Sequence, residues 1–262
     1  MNTEQGYYEL AEFWDANIYQ NEFENVRLTA CVEAIPPSTS SLLDVGAGNG
    51  VFLSMVENSP HAVRCEGVER SEAAINHAIC KSRIVNGDIT SLPYAKGAFE
   101  VVSALDVIEH IPYHSYDTTL AELERVAEKY ILLNVPYKEN RLQVTCIYCG
   151  CLFNPHYHMR SFSDENLCSL FPDFEILSSI KVLRSVSILE AALNPMRRRV
   201  FGGFPSHCVC PQCGYTPKES AGTSQHKNGF GGKLRQLAKG MIRSMPKVQI
   251  PAEIIVLYRR RE

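Results

Sequence analysis

Between Ser41 and Pro136 the chain alternates short apolar runs with helical stretches, strand before helix, several times over. That order leaves few folds open, because parallel strands must be joined by crossovers and a helix is the usual crossover. Ser41–Val45, Ala62–Glu69, Arg83–Asn86, Phe99–Leu105 and Tyr130–Val135 are the expected strands. Phe99–Leu105 is nearly continuously apolar, as a strand covered on both faces must be. Helices are expected after the first strand to about Glu57, from the Ser71 cap to Cys80, and over about Tyr116–Ala127. Units of this length predict a parallel sheet with helices on both faces.

The alternation has flanks of a different character. The first 35 residues pattern as an amphipathic helix with Leu10, Phe13, Trp14, Ile18, Phe23, Val26 and Cys31 as its apolar positions. Pro36-Pro37 ends it, since proline disfavours helix in the residue before it. After Pro136 comes a Cys/His-rich segment over 141–160, then a helix opening at Ser163-Asp164-Glu165-Asn166. Two more strands are expected at Phe174–Val182 and Glu253–Tyr258, and the roughly 70 residues between them are far too many for a hairpin. That interval is an insertion holding a second cysteine pair and the Gly/Ser-rich stretch Ser220–Gly232.

The net charge of −3 argues against a general nucleic-acid binder, which needs a basic face. The average hides an asymmetry: from Lys218 onward ten Lys/Arg stand against three Asp/Glu. Met1–Gln5 is polar with no apolar core after it, and no apolar run approaches a membrane span, so a cytoplasmic location is expected. Ten cysteines in a reducing compartment then call for something other than disulfides.

Leu42-Leu43-Asp44-Val45-Gly46-Ala47-Gly48-Asn49-Gly50 stands where a strand meets a helix. Its glycines permit a sharp bend and close approach of a ligand to the backbone. The spacing is not G-x-G-x-x-G, and Asp44 would repel a pyrophosphate while suiting a cation. Here the sequence resembles the class I S-adenosylmethionine (SAM)-dependent methyltransferases, in particular the type 11 group. The resemblance covers about residues 7–140 and extends to the final strand. It implies a Rossmann-like α/β fold with a seven-stranded sheet. It also implies SAM as cofactor, held by Asp44, Gly46, Ala47, Gly48, Glu69, Arg70, Asp88, Ile89 and Leu105. Glu69 would accept the ribose hydroxyls and Asp88 would face the adenine amine. The expected division is a SAM-binding domain with a helical cap over 1–140, a first knuckle and acceptor loop over 141–160, a return to the core over 161–184, the insertion over 185–250, and the last strand over 251–262.

Methyl transfer to a hydroxyl needs a base to take its proton. Asp106-Val107-Ile108-Glu109-His110 follows the fourth strand, at the sheet edge where α/β folds bind ligands, and His110 is the candidate base. The competing reading has His110 only pack or cap the next turn. The D-x-x-E-H spacing is also similar to the E-x-x-E-H metal site of ubiquinone-pathway and small-RNA O-methyltransferases, with aspartate replacing the first glutamate. Asn134-Val135-Pro136-Tyr137 imitates the N-P-P-Y motif of amino-group methyltransferases but follows the wrong strand.

Cys146-x-x-Cys149-Gly150 and Cys210-Pro211-x-Cys213-Gly214 are two knuckles of one form, each offering two thiolates across a tight turn. Together they predict a structural Zn²⁺ site of four cysteines. Cys151, Cys208, His156 and His158 remain rival ligands. Asn154–Phe162 (N-P-H-x-H-x-R-S-F) after the first knuckle resembles a subset of type 11 enzymes of bacterial glycan and natural-product pathways. On that resemblance His156 and His158 join His110 as catalytic candidates, and Tyr157 and Arg160 are expected to bind substrate. The stretch Lys233–Arg243 carries apolar residues at helical spacing with cations between them, open to peripheral membrane contact or to packing on the core. The expected activity is O-methylation of a sugar, glycan or secondary-metabolite hydroxyl, with a small-molecule or glycan partner. The rivals are an RNA or protein methyltransferase whose knuckles read the substrate, and a non-catalytic zinc-dependent scaffold. Oligomeric state leaves no mark in the sequence.

Overall fold

The computed structural model describes residues 14, 21–61, 63–141, 143–193, 210–215 and 245–262. The basic stretch 233–243, Cys208 and most of the N-terminal cap lie outside them. The elements are α1 (Glu22–Glu33), β1 (Ser41–Val45), α2 (Val51–Glu57), β2 (Arg64–Glu69), α3 (Glu72–Asn76), β3 (Arg83–Asn86), β4 (Phe99–Leu105), α4 (Tyr113–Val126) and β5 (Ala127–Pro136). They continue with β6 (Val144–Thr145), β7 (Leu152–Phe153), α5 (Asp164–Leu167), β8 (Phe174–Ser187), α6 (Ile188–Leu193) and β9 (Lys247–Arg260).

Seven strands form one sheet in the order β3-β2-β1-β4-β5-β9-β8. The five strands foreseen before Pro136 are parallel, and β9 runs antiparallel to β5. No described helix is long and apolar enough to cross a membrane. The residues cluster into two compact units. The larger takes 5–139, 159–182 and 252–262, and the smaller takes 1–4, 140–158 and 183–251.

Strand parity fixes which side chains the larger unit buries together. Leu43, Val45, Val102, Ala104, Ile131, Leu133 and Val256 enter one core cluster, with Leu123 of α4. Their neighbours Leu42, Val101, Leu132, Ile255 and Leu257 enter another, with Leu28 and Cys31 of α1 and Leu53 of α2. Successive residues of a strand face opposite ways, so Asp44, Ser103, Asn134 and Glu253 share the second face. The polar residues of this edge therefore lie on the α1 side.

Helix boundaries differ from the sequence expectation for local reasons. The helix capped by Ser71 stops at Asn76 rather than reaching Cys80. The main-chain N–H groups of Lys81 and Ser82 instead donate to the Glu57 carboxylate, which fixes an irregular path into β3. α4 begins at Tyr113 directly after Pro112, and buries Thr119, Leu123 and Val126 at helical spacing. It passes into β5 at Ala127 with no loop between them. Both last strands of the sheet run longer than expected.

Candidate functional site

β1 ends against a glycine bend in which Gly46, Gly48 and Gly50 all have positive φ, at 77°, 54° and 77°. The Gly46 and Ala47 N–H groups both donate to the Val68 carbonyl, at 2.8 and 3.0 Å, which welds the bend to β2. Glu69 closes β2, and its Oε2 accepts from the Gly48 N–H at 2.9 Å. Its Oε1 accepts from the Arg70 and Ser71 N–H groups, both at 2.8 Å. Oε1 thus has both lone pairs engaged, whereas Oε2, with one donor, keeps accepting capacity for another. Glu69 also pairs in register with Asn86, and the Gly87 N–H donates to the Glu69 carbonyl at 3.0 Å. Asp88 thus follows one turn from Glu69, exposed, with Oδ1 accepting from Thr90 N–H and Oγ1. Asp44, the glycine bend, Glu69 and Asp88 converge on one sheet edge.

The site's floor is buried and acidic. Asp44 is buried, and burial raises its pKa to about 7, against a hydrogen bond from Ser103 Oγ at 2.7 Å that lowers it. Trp14 stands over the bend: a Cβ on Gly48 would come within 2.7 Å of its ring, and Asn49 Nδ2 donates to its carbonyl. Ala47 is buried, Leu105 and Ile89 are half-buried, and the Arg70 side chain is exposed.

Leu105 ends β4, and Asp106 follows with φ of 54°, a left-handed conformation that aspartate tolerates better than most side chains. Val107 then folds back onto the glycine bend, where a Cβ on Gly46 would meet its Cγ2 at 2.5 Å. His110 comes next, half-buried, its Nε2 3.8 Å from the fully buried carboxylate of Glu109. Arg160 backs this segment: its Nη1 donates to the Ile108 and Ile111 carbonyls at 2.6 and 2.7 Å. Its guanidinium lies 3.7 Å from the Tyr116 ring centroid, a cation–π contact, so its first task is to hold the His110 turn.

The smaller unit brings the two knuckles together. Cys146 Sγ is 3.7 Å from Cys213 Sγ and Cys149 Sγ is 3.5 Å from Cys210 Sγ. All four lie within 4.8 Å of one another. A tetrahedral Zn²⁺ with Zn–S bonds of about 2.3 Å has sulfur–sulfur edges of about 3.8 Å, so the donors fit the ion. The knuckles repeat each other's geometry. Gly150 N–H donates to the Cys146 carbonyl and Gly214 N–H to the Cys210 carbonyl, each at 2.9 Å, with φ of 75° and 72°. Val144, Phe153 and the two buried cysteines form a small core around them. Tyr157, expected to face substrate, is buried with its ring 6.2 Å from Phe153. His156 and His158 have ring centroids 5.7 Å apart in the same unit.

Sequence reasoning missed Arg27, Glu253 and the role of Asn134. Arg27 Nη1 binds Asp106 Oδ2 at 2.8 Å and also donates to Asn134 Oδ1. Asn134 Nδ2 reaches Glu253 Oε2 at 3.3 Å. Their signal was present: charged or amide groups at positions that strand parity and the α1 stripe should bury.

A family model described as a methyltransferase domain matches residues 19–176. Among curated proteins nothing matches. Among solved structures, the [4+2]-cyclase SpnF is 17% identical with a TM-score of 0.54, covering 90% of this chain and 80% of that one. The 1,6-didemethyltoxoflavin-N1-methyltransferase of Burkholderia thailandensis, with 1,6-didemethyltoxoflavin and S-adenosylhomocysteine bound, is 14% identical with a TM-score of 0.52. The match covers 94% of this chain and 82% of that one. The N-methyltransferase NodS of Bradyrhizobium japonicum WM9 is 11% identical with a TM-score of 0.52, covering 93% and 99%.

Proposed function

The chain belongs to the SAM-dependent methyltransferase family, and on that premise we propose that it methylates a hydroxyl of a small-molecule or glycan acceptor. SAM, when bound, supplies a methyl group on a sulfonium, ready for in-line displacement. Gly46 and Gly48 let the main chain approach the cofactor, Glu69 offers an acceptor to its ribose, and Asp44 places a carboxyl group behind a cation. Asp88 is left to the base and Arg70, Ile89 and Leu105 to the walls.

The observation that carries the hydroxyl reading is His110, whose Nε2 stands 3.8 Å from buried Glu109 on the segment packed against the bend. An imidazole there takes the acceptor's proton as the oxygen attacks. His110→Asn should lower kcat by about a hundredfold while SAM affinity stays put. Turnover surviving within about twofold would remove the base from the mechanism. The neighbours named as N-methyltransferases make transfer to nitrogen the second reading, and a product carrying an N-methyl group would decide for it. The acidic floor and the toxoflavin- and cyclase-type neighbours support a small acceptor over a polynucleotide. In the smaller unit, Cys146, Cys149, Cys210 and Cys213 hold a structural Zn²⁺ on this reading.

A further inference from the structure

Behind the carboxyl edge of β4 and β5 the larger unit gathers Glu24, Arg27, Asp106, Glu109, Asn134 and Glu253. Four of the six are acids, and the one arginine is already engaged. Its Nη2 holds Glu24 at 2.5 Å, and its Nη1 serves Asp106 and Asn134. Asn134 turns its amide to Glu253. Glu109 is left over: it is 0% exposed, and among the described residues neither carboxylate oxygen has a hydrogen-bond partner. His110 at 3.8 Å is beyond hydrogen-bonding reach. Burial and the nearby Asp106 push the Glu109 pKa well up, and burial with Asp106 and Glu109 pushes Glu253 to about 10.

A buried acid without a donor is costly to keep, and a pocket of such acids is short of positive charge. We propose that this pocket receives the ammonium group of the methyl acceptor, so that the acceptor is a hydroxylated primary amine of the amino-sugar or amino-alcohol class. The proposal rests on the hydroxyl-transfer reading above. An ammonium brings three donors, enough for both oxygens of Glu109 and one of Asp106 or Glu253. Held in its protonated form it has no lone pair to methylate, so the methyl group goes to a hydroxyl close by. His110, next in the chain to Glu109, stands ready for that hydroxyl. Asp106 keeps its side chain 36% exposed, whereas Glu109 is fully buried, so the acceptor's ammonium would enter past Asp106.

The test is calorimetry on the full chain loaded with S-adenosylhomocysteine, titrated with D-glucosamine, N-acetyl-D-glucosamine and D-glucose. Glucosamine should bind about tenfold tighter than the two neutral sugars, the scale of one charge-assisted hydrogen bond. Glu109→Gln should erase that preference and leave S-adenosylhomocysteine affinity as it was. Glu253→Gln should weaken the preference in the same direction, which keeps the test open if Glu109→Gln fails to fold. Equal binding of the three sugars, or no binding of any, overturns the proposal. So does stoichiometric Mg²⁺ or Mn²⁺ binding that Glu109→Gln abolishes, since a metal would then be the missing cation. A Glu109→Gln change in the SAM to S-adenosylhomocysteine affinity ratio, without one among the sugars, gives the pocket to the sulfonium instead. Failure of S-adenosylhomocysteine to bind the wild type would sink the cofactor reading itself. With SAM in place of S-adenosylhomocysteine, a methyl group found on nitrogen overturns the hydroxyl reading and this proposal together, whereas loss of the amine preference with O-methyl product overturns this proposal alone.

Discussion

The glycine bend of the larger unit and the knuckles of the smaller unit use the same backbone device for opposite purposes. Gly46 and Gly150 have nearly equal φ, 77° and 75°. A Cβ on Gly46 would strike Val107, whereas a Cβ on Gly150 would meet nothing within 4 Å. At Gly46 the left-handed turn brings backbone against Val107, where the proposed function places the cofactor. At Gly150 it only completes a thiolate turn. The first site is held by a sheet with two core clusters, and the second by four buried side chains, with Cys151 and Tyr215 packed against them, and whatever the thiols bind. Positioning in the one comes from packing; in the other the proposed Zn²⁺ would supply it.

The sharpest way to break that contrast is to remove one thiol. Cys146→Ser or Cys210→Ser should leave purified protein without stoichiometric zinc, read by elemental analysis, and open the smaller unit to protease. Structural zinc contributes about 10–16 kcal/mol in small modules, far more than a four-residue core can. Cofactor binding by the larger unit should persist in both variants. Full zinc retention in Cys210→Ser would show the ligand set to be misassigned.

Next in size is the pair Gly46→Ala and Gly150→Ala. The first carries a left-handed penalty of about 1–2 kcal/mol and must also displace Val107, so SAM affinity should fall roughly 10- to 100-fold by calorimetry. The second carries the backbone penalty alone and should retain zinc. Equal effects of the two on their own ligands would erase the distinction drawn between them.

Asp44→Asn tests the charge of the floor. Burial raises the Asp44 pKa from 3.8 to about 7, so the folded state holds a proton that the unfolded state releases. Stability from this group is therefore full below pH 4 and is lost as pH rises to about 7. Asp44→Asn should melt higher than wild type at pH 8 without ligand, by a few degrees for about 1 kcal/mol, and should bind SAM more weakly. Matching melting curves across that pH range would show that the buried carboxyl carries no such strain.

Much of this was open to sequence reading because it is local. Asp44, Gly46, Gly48, Glu69 and Asp88 stand at strand ends whose apolar runs declare themselves, and β-sheet register then carries them to one edge. The cysteine pairs were equally plain, because a C-x-x-C-G turn is complete in five residues. The acid pocket was not. Arg27, Asp106, Asn134 and Glu253 come from four separated elements, and only the strand order β4-β5-β9 under α1 makes them neighbours. The sequence reading overruns α3 because the His77 and Ala78 N–H groups close tighter i→i−3 turns and the Ile79 N–H donates to the Asn49 carbonyl, far back in the chain.

The smallest expected effect separates two acids that the sequence treats alike. Glu69 is buried and already bonded to the bend, so removing it would disturb both the turn and the cofactor. Asp88 is exposed, and its carboxylate holds a local turn by accepting from Thr90. Asp88→Ala should therefore weaken SAM by about three- to tenfold, the worth of one solvent-facing hydrogen bond, with the melting temperature unchanged. A loss as large as that of Gly46→Ala would mean that the rim, rather than the welded bend, sets cofactor affinity.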